Sequence, residues 1–332
     1  MLRLVFMGSD AIALPALNWL VGEGRNIAQV VGVFTQPDRP AGRGQKMQVS
    51  MIKQWAIAKR LPVLQPEKVG ATEREQLAAL QPDLTLVMAY GHILKPDFIA
   101  TSRLGILNLH TSILPKYRGA SPIQTAIASG DRETGVTLMR IVPELDAGPV
   151  AGVAKVAIGP LDTAAEVETK LGAACVPLLA RCLPPIAADV QTFTEQDHTQ
   201  ATFCRRLDKA DGVLDFAQSA AVLAARINGL MPWPGCVVEI NGQPVKLGLA
   251  DEGQLLDDIS GVAGTVTGSD ADGLLVRAGG GILRLRKLQR PGGKMLPAAE
   301  FLRGFPVATG TRLASQPMPM LVGPAPFPRR KA

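Results

Sequence analysis

The chain has 332 residues, 47% of them hydrophobic and 19% charged, which gives enough apolar material for true cores and too little charge for global disorder. That length exceeds one typical domain and suits two. A net charge of +6 leans toward an anionic partner, and an aromatic content of 4% excludes a surface built from stacked aromatic platforms.

In chain order, Leu2 to Met7 reads as a buried strand, followed by Gly8-Ser9-Asp10. Ala11 to Gly22 has helical apolar spacing, with Ser9 or Asp10 as its cap. Ile27 to Thr35 is a second β-rich run, and strand–helix–strand order implies a parallel sheet. Pro, Gly and basic residues make Gln36 to Ser50 a loop. Ser50 to Arg60 is helical, Leu61 to Leu64 a short strand, Thr72 to Leu80 a helix, and Asp83 to Ala89 a strongly apolar strand. Ile106 to His110, Gly135 to Ile141 and Val150 to Ile158 read as strands; Ala120 to Ser129 and Ala164 to Ala188 read as helices. The alternation predicts an α/β domain over residues 1–190, with a doubly wound, mostly parallel Rossmann-like sheet.

The texture changes near Asp189. Residues 191–206 are polar and read as a linker. After a helix from Ser219 to Leu230 come five short β runs: Cys236 to Ile240, Pro244 to Ala250, Gly264 to Thr267, Gly273 to Ala278 and Gly281 to Leu288. Asn241-Gly242 is a hairpin-turn signal between the first two. Residues 207–312 are therefore expected to form a small β-barrel of the oligonucleotide-binding kind, and the Pro-rich residues 313–332 a disordered tail.

The basic excess is concentrated. From Arg277 onward there are Arg277, Arg284, Arg286, Lys287, Arg290, Lys294, Arg303, Arg312, Arg329, Arg330 and Lys331 against Glu300 alone. Between Gln36 and Arg60 there are Arg39, Arg43, Lys46, Lys53, Lys59 and Arg60 against Asp38 alone. Cys175, Cys182, Cys204 and Cys236 include no CxxC pair, so the expectation is reduced, buried thiols and no metal knuckle. The apolar start is too short for a signal peptide, and no run reads as a membrane span of about 20 apolar residues.

Only three histidines exist: His92, His110 and His198. His198 falls in the polar segment and reads as incidental, His92 as a loop histidine. His110 ends a strand, where open α/β sheets place ligands. Alternation along that strand puts Asn108 and His110 on one face. Downstream, Pro143-Glu-Leu-Asp146-Ala-Gly148 sets a carboxylate in a tight loop that can orient or charge a histidine. Amide, imidazole and carboxylate are the parts for acyl transfer to an amine without a covalent intermediate. Asn108 and His110 can donate to the developing oxyanion, and Asp146 can assist His110 and proton transfer.

The run Asn108-Leu-His110-Thr-Ser-Ile-Leu-Pro115-Lys-Tyr-Arg-Gly119-Ala-Ser-Pro-Ile-Gln124, with Gly135-Val-Thr137 and Leu145-Asp146-Ala-Gly148, resembles the signature of the folate-dependent formyltransferases. Val33 to Gly44, Ala89-Tyr-Gly91 and the Asn-Gly-Leu-Met-Pro-Trp-Pro run from Asn228 to Pro234 narrow the resemblance to members that act on charged tRNA. It covers residues 2 to 312. It implies Asn108, His110 and Asp146 as the catalytic trio and 10-formyltetrahydrofolate as formyl donor. It also implies a tetrahydrofolate site lined by Ser112, Ile113, Leu114 and Pro115. Met88, Ala89, Tyr90, Gly91, Ile93 and Leu94, with the backbone at Leu145, would form the pterin pocket. The acceptor would be methionine-charged initiator tRNA, met at its acceptor end by Arg39, Arg43 and Lys46 and held along its stem by Arg286, Lys287, Arg290 and Lys294. The resemblance further implies a cytoplasmic monomer with no metal, no membrane and no obligate protein partner. The chain departs from it at Gly8-Ser9-Asp10, where the family reads Gly-Thr-Pro, which puts the start of the first helix in question.

Other readings stay open at this level. A relative that formylates a small amine, such as an amino-sugar nucleotide, would share the trio and not need Arg43. An RNA-binding module on an inactive scaffold would not need His110. The α/β architecture alone would suggest an NAD-dependent oxidoreductase, but the GxGxxG fingerprint is missing.

Overall fold

The computed structural model describes residues 1–41, 46–254 and 261–328, and only the backbone at Ala41 and Lys46. Arg43 and the terminal Arg329, Arg330 and Lys331 lie outside the described residues. The chain forms two compact units: residues 1–118, 135–156 and 168–201, and residues 119–134, 157–167 and 202–332. This division does not fall at a single cut near residue 190.

The elements of the first half are β1 (Leu2–Gly8), α1 (Leu14–Val21), β2 (Ala28–Phe34), β3 (Arg39–Ala41), β4 (Lys46–Gln48), α2 (Met51–Ala58), β5 (Val63–Leu64), α3 (Ala71–Ala79), β6 (Leu84–Met88), α4 (Pro96–Ile99), β7 (Ile106–His110), β8 (Arg118–Gly119), α5 (Pro122–Ala128), β9 (Glu133–Arg140), β10 (Val150–Ala157) and α6 (Ala164–Ala187). The first unit is built on a seven-stranded sheet in the order β10-β9-β7-β6-β1-β2-β5. β5, β2, β1, β6 and β7 pair in parallel, and β9 runs antiparallel to β7. Leu4, Val5, Phe6 and Met7 are all buried, as a central strand covered on both faces requires.

The unusual Gly8-Ser9-Asp10 turn works on its own terms. A Cβ at Gly8 would sit 2.3 Å from the Met88 carbonyl, so β1 and β6 can run side by side to their ends only with glycine there. The Asp10 carboxylate accepts from Ile12 N–H at 3.0 Å and starts the short 3-10 turn at Ala11–Ala13 that leads into α1.

Two expectations change in this unit. The Gln36 to Ser50 segment is not all loop, because β3 and β4 pair as a short antiparallel ribbon. The helix α6, 24 residues long, is apolar and long enough to cross a membrane by composition, contrary to the sequence reading. Its buried residues include Leu171, Cys175, Leu178, Leu179 and Cys182, the packing of a core helix.

The second unit adds β11 (Phe203–Cys204), α7 (Ala220–Gly229), β12 (Cys236–Ile240), β13 (Gln243–Glu252), β14 (Val266–Ser269), β15 (Leu274–Arg277), β16 (Ile282–Gln289), β17 (Leu296–Pro297), α8 (Ala298–Gly304) and β18 (Val322–Gly323). β12-β13-β16-β15-β14 form an antiparallel sheet, with β17 on β16. Asn241 and Gly242 turn β12 into β13 with φ of 51° and 73°, the left-handed pair a two-residue hairpin needs. Asn228 fixes α7 to the sheet, exchanging two 2.9 Å hydrogen bonds with the backbone of Ala250. Gly229 lies so close to α5 that a Cβ would fall 2.5 Å from Ala128 N, which is why α5 belongs to this unit.

The stretch after Arg312 is not a loose tail as far as residue 328. Leu313 and Leu321 are buried in this unit's core, and β18 pairs antiparallel with β11. Apolar side chains spaced among prolines found a surface to cover, which composition does not reveal.

Candidate active site

The site starts at the end of β7. Asn108 sits across from Val87 on β6 and Met139 on β9, and His110 across from Thr137. Strand alternation puts both side chains on one face, as expected. The Asn108 amide forms no hydrogen bond among the described residues and is half-buried. His110 is 6% exposed, and its Nε2 lies 2.9 Å from the carbonyl oxygen of Tyr117. A carbonyl only accepts, so Nε2 carries the hydrogen and donates it. Nδ1 is the ring nitrogen left for chemistry, and it stands 3.8 Å from Asp146 Oδ2. That is ion-pair range and longer than a direct hydrogen bond.

Asp146 is held by its backbone. Its φ of +47° is left-handed, an uncommon state for a non-glycine residue that Asp tolerates better than most. Gly148 lets the loop close down, because a Cβ there would meet the Arg140 carbonyl at 2.0 Å. Gln196 staples the loop: its Nε2 donates to the carbonyls of Asp146 at 2.9 Å and Gly148 at 2.8 Å. Its Oε1 accepts from Arg118 Nη2 at 2.7 Å and Nε at 3.2 Å. Arg118 Nη2 also lies 3.0 Å from His198 Nδ1, which accepts. Burial lowers the Arg118 pKa, and the Asp146 carboxylate works against that shift.

Sequence reading missed three of these residues. Arg118 stood inside the motif run with no role assigned to it, His198 was read as incidental, and Gln196 lay in a segment read as linker. Thr194 in that segment instead pairs with Val150.

The segment after His110 is also anchored. Thr137, fully buried, donates from Oγ1 to Ser112 O at 2.7 Å and accepts from Leu114 N–H at 3.2 Å. Ser112 Oγ donates to Lys116 O at 2.6 Å. Ser112 and Leu114 are buried, while Ile113 and Pro115 are half-buried.

The residues expected around the pterin divide into two sets. Tyr90 and Leu94 pack into a core with Phe34, Phe98 and Ile106, and Met88 is buried on β6. Burial pushes the Tyr90 phenol well above its ordinary range, and its hydroxyl is among the buried groups with no hydrogen-bond partner. Ala89 and Gly91 are exposed, with φ of +49° and +77°, and Ile93 and Leu145 are 71% and 52% exposed. Gln36 Nε2 donates to Tyr90 O at 2.9 Å, and Gln36 N–H donates to Ser9 Oγ at the same distance. The base of the early basic segment is thus tied to the Ala89–Gly91 turn.

The expected RNA-facing cations are not equivalent. Arg39 pairs with Glu67 at 3.3 Å in an exposed contact. Arg286 is bound to Asp251 at 2.9 Å and Asp272 at 3.1 Å, so its charge is answered within its own sheet. Lys287, Arg290 and Lys294 are exposed. The Arg290 guanidinium stands 5.8 Å from the Phe305 ring centroid.

Residues 2–182 match the formyl transferase family, and residues 206–306 match the formyl transferase C-terminal domain. A methionyl-tRNA formyltransferase of Methylococcus capsulatus is 41% identical over 315 residues, covering 95% of this chain and 100% of that one. One from Moorella thermoacetica is 39% identical over 312 residues, covering 93% and 98%. Among solved structures, the N-formyltransferase of Helicobacter canadensis in complex with folinic acid and dTDP-3-aminofucose superimposes with a TM-score of 0.65 at 17% identity, over 86% of this chain and 99% of that one. HypX from Aquifex aeolicus in complex with tetrahydrofolic acid gives 0.59 at 16% identity, over 91% of this chain and 47% of that one. At such identities these two likenesses concern the fold.

Proposed function

The chain belongs to the methionyl-tRNA formyltransferase family, and from that premise we propose that it moves the formyl group of 10-formyltetrahydrofolate onto the amino group of methionyl-initiator tRNA, with Asn108, His110 and Asp146 as its catalytic residues. The observation that carries the residue assignment is the placement of His110 Nδ1 opposite Asp146, with Asn108 on the same strand face.

In this reading the amine attacks the formyl carbon, a C–N bond forms, and the carbonyl electrons move to oxygen. His110 Nδ1 takes the proton the amine loses, and the Asp146 carboxylate stabilises the positive ring. The Asn108 amide and the newly protonated Nδ1 donate to the oxyanion. As the oxyanion collapses, the bond from the formyl carbon to N10 of the folate breaks. N10 keeps the electron pair and takes the proton from Nδ1. No group on the protein is left modified.

Ser112 to Pro115, held by Thr137, and the exposed Ala89, Gly91, Ile93 and Leu145 are the parts we assign to the folate. Lys287, Arg290 and Lys294, exposed on the second unit, are the side chains we assign to phosphate neutralisation, with Arg39 available because a surface ion pair exchanges partners at little cost. Charged tRNA and reduced folate meet in the cytoplasm, where we place the reaction.

The test is incubation with 10-formyltetrahydrofolate and charged initiator tRNA. Formyl-methionyl-tRNA is expected. Formylation of amino-sugar nucleotides with none of the tRNA would overturn the assignment of the acceptor.

A further inference from the structure

Two buried polar side chains outside the trio, Arg118 and Gln196, are joined to each other and to the loop that carries Asp146. They are 5% and 7% exposed. Their chemistry leaves one arrangement. The two backbone carbonyls at Asp146 and Gly148 only accept, so the Gln196 nitrogen faces them and supplies one N–H to each. The guanidinium only donates, so the Gln196 oxygen faces Arg118 and takes two of its hydrogens. Glutamate in this place would set an oxygen against a carbonyl. Leucine would leave two carbonyls and a buried cation without these partners.

The network has a second end. Tyr117 and Arg118 are neighbours, and the Tyr117 carbonyl takes the hydrogen of His110 Nε2. One turn therefore holds the imidazole through residue 117 and the carboxylate loop through residue 118. Tyr117 and Asp146 also share a left-handed backbone, with φ of +59° and +47°. Two such residues persist only where their surroundings fix them.

We propose that Gln196, oriented by Arg118, is a positioning residue for formyl transfer: it locks the Asp146 backbone and so sets where the carboxylate stands relative to His110 Nδ1. This rests on the function proposed above. A loop staple with no catalytic consequence is the competing role, and the experiment separates the two.

Gln196→Glu is near in shape and keeps an acceptor for Arg118, but removes the donors to both carbonyls. Its kcat is expected to fall about 10- to 100-fold, the scale of a small misplacement of a reacting group, with the KM for 10-formyltetrahydrofolate within twofold of the parent. In an Asp146→Asn background the same substitution is expected to add less than a twofold loss, because it acts through the carboxylate. An equal loss in both backgrounds, or an unchanged kcat in folded protein, overturns the proposal. Should Gln196→Glu fail to fold, Arg118→Lys, which keeps the charge and loses the fork, takes its place in the same cycle.

A readout without substrate keeps the two claims apart. With three histidines in the chain, the ring nitrogens of His110 are assignable by 15N NMR. Gln196→Glu and Asp146→Asn are each expected to move the His110 Nδ1 resonance. An unmoved resonance in folded protein overturns the positioning role even if tRNA is formylated. A moved resonance with no tRNA formylated upholds that role and overturns the proposed acceptor instead.

Discussion

His110 and Tyr117, seven residues apart, are joined by a 2.9 Å hydrogen bond from the ring Nε2 to a backbone carbonyl. That bond fixes the tautomer of the neutral ring and leaves Nδ1 to face Asp146. A backbone acceptor cannot be altered by a side-chain substitution at Tyr117, so the test falls on the histidine.

His110→Gln carries a nitrogen that reaches the Nε2 position and none at Nδ1. It is expected to keep the contact with Tyr117 and to lose about 10²- to 10⁴-fold in kcat, the usual worth of a general acid–base group. Turnover and thermal unfolding measured on one preparation check this. Near-parental turnover would remove Nδ1 from the mechanism.

The chemical role proposed for Asp146 and its left-handed backbone are separated by two substitutions. Asparagine tolerates a left-handed backbone, whereas alanine there costs about 1–2 kcal/mol. Asp146→Asn should lose turnover at nearly unchanged stability. Asp146→Ala should lose turnover and unfold at lower denaturant. Equal stability for the two would mean that the φ of +47° carries no strain.

Asn108→Ala removes the amide we propose as an oxyanion donor, a half-buried group that makes no hydrogen bond among the described residues. The expected loss is about 10²- to 10³-fold in kcat with little change in either KM. A loss confined to KM would make Asn108 a binding group.

Thr137→Val keeps the shape of the side chain and removes both hydrogen bonds to the Ser112–Leu114 backbone. Leaving buried backbone groups unpaired costs about 1–3 kcal/mol. The KM for folate should rise more than that for tRNA. Steady-state kinetics with each substrate varied in turn distinguishes the two.

The basic face divides by local pairing. Lys287→Ala and Lys294→Ala should weaken tRNA binding and each lower the salt slope by about one. Arg286→Ala should leave the slope unchanged and reduce stability, because its partners are Asp251 and Asp272. Filter binding across a salt series reads the slopes, and a drop for Arg286→Ala would place that side chain on the RNA.

Much of this protein was determined by sequence alone, and it is the part fixed within a few residues. The Ile106 to His110 strand, the facing of Asn108 and His110, and the Asn241-Gly242 turn follow from strand period and backbone sterics, which are local. The formyltransferase motif travels with that strand. Only the tertiary structure could join Arg118 to Gln196, 78 residues apart, and Gln196 to Asp146, 50 apart, because those bonds depend on where the chain returns. It alone could bury Leu321 beneath a Pro-rich segment, since burial depends on what surface is left uncovered. It alone could separate Arg286 from Lys287, because a cation's availability depends on the carboxylates across the sheet.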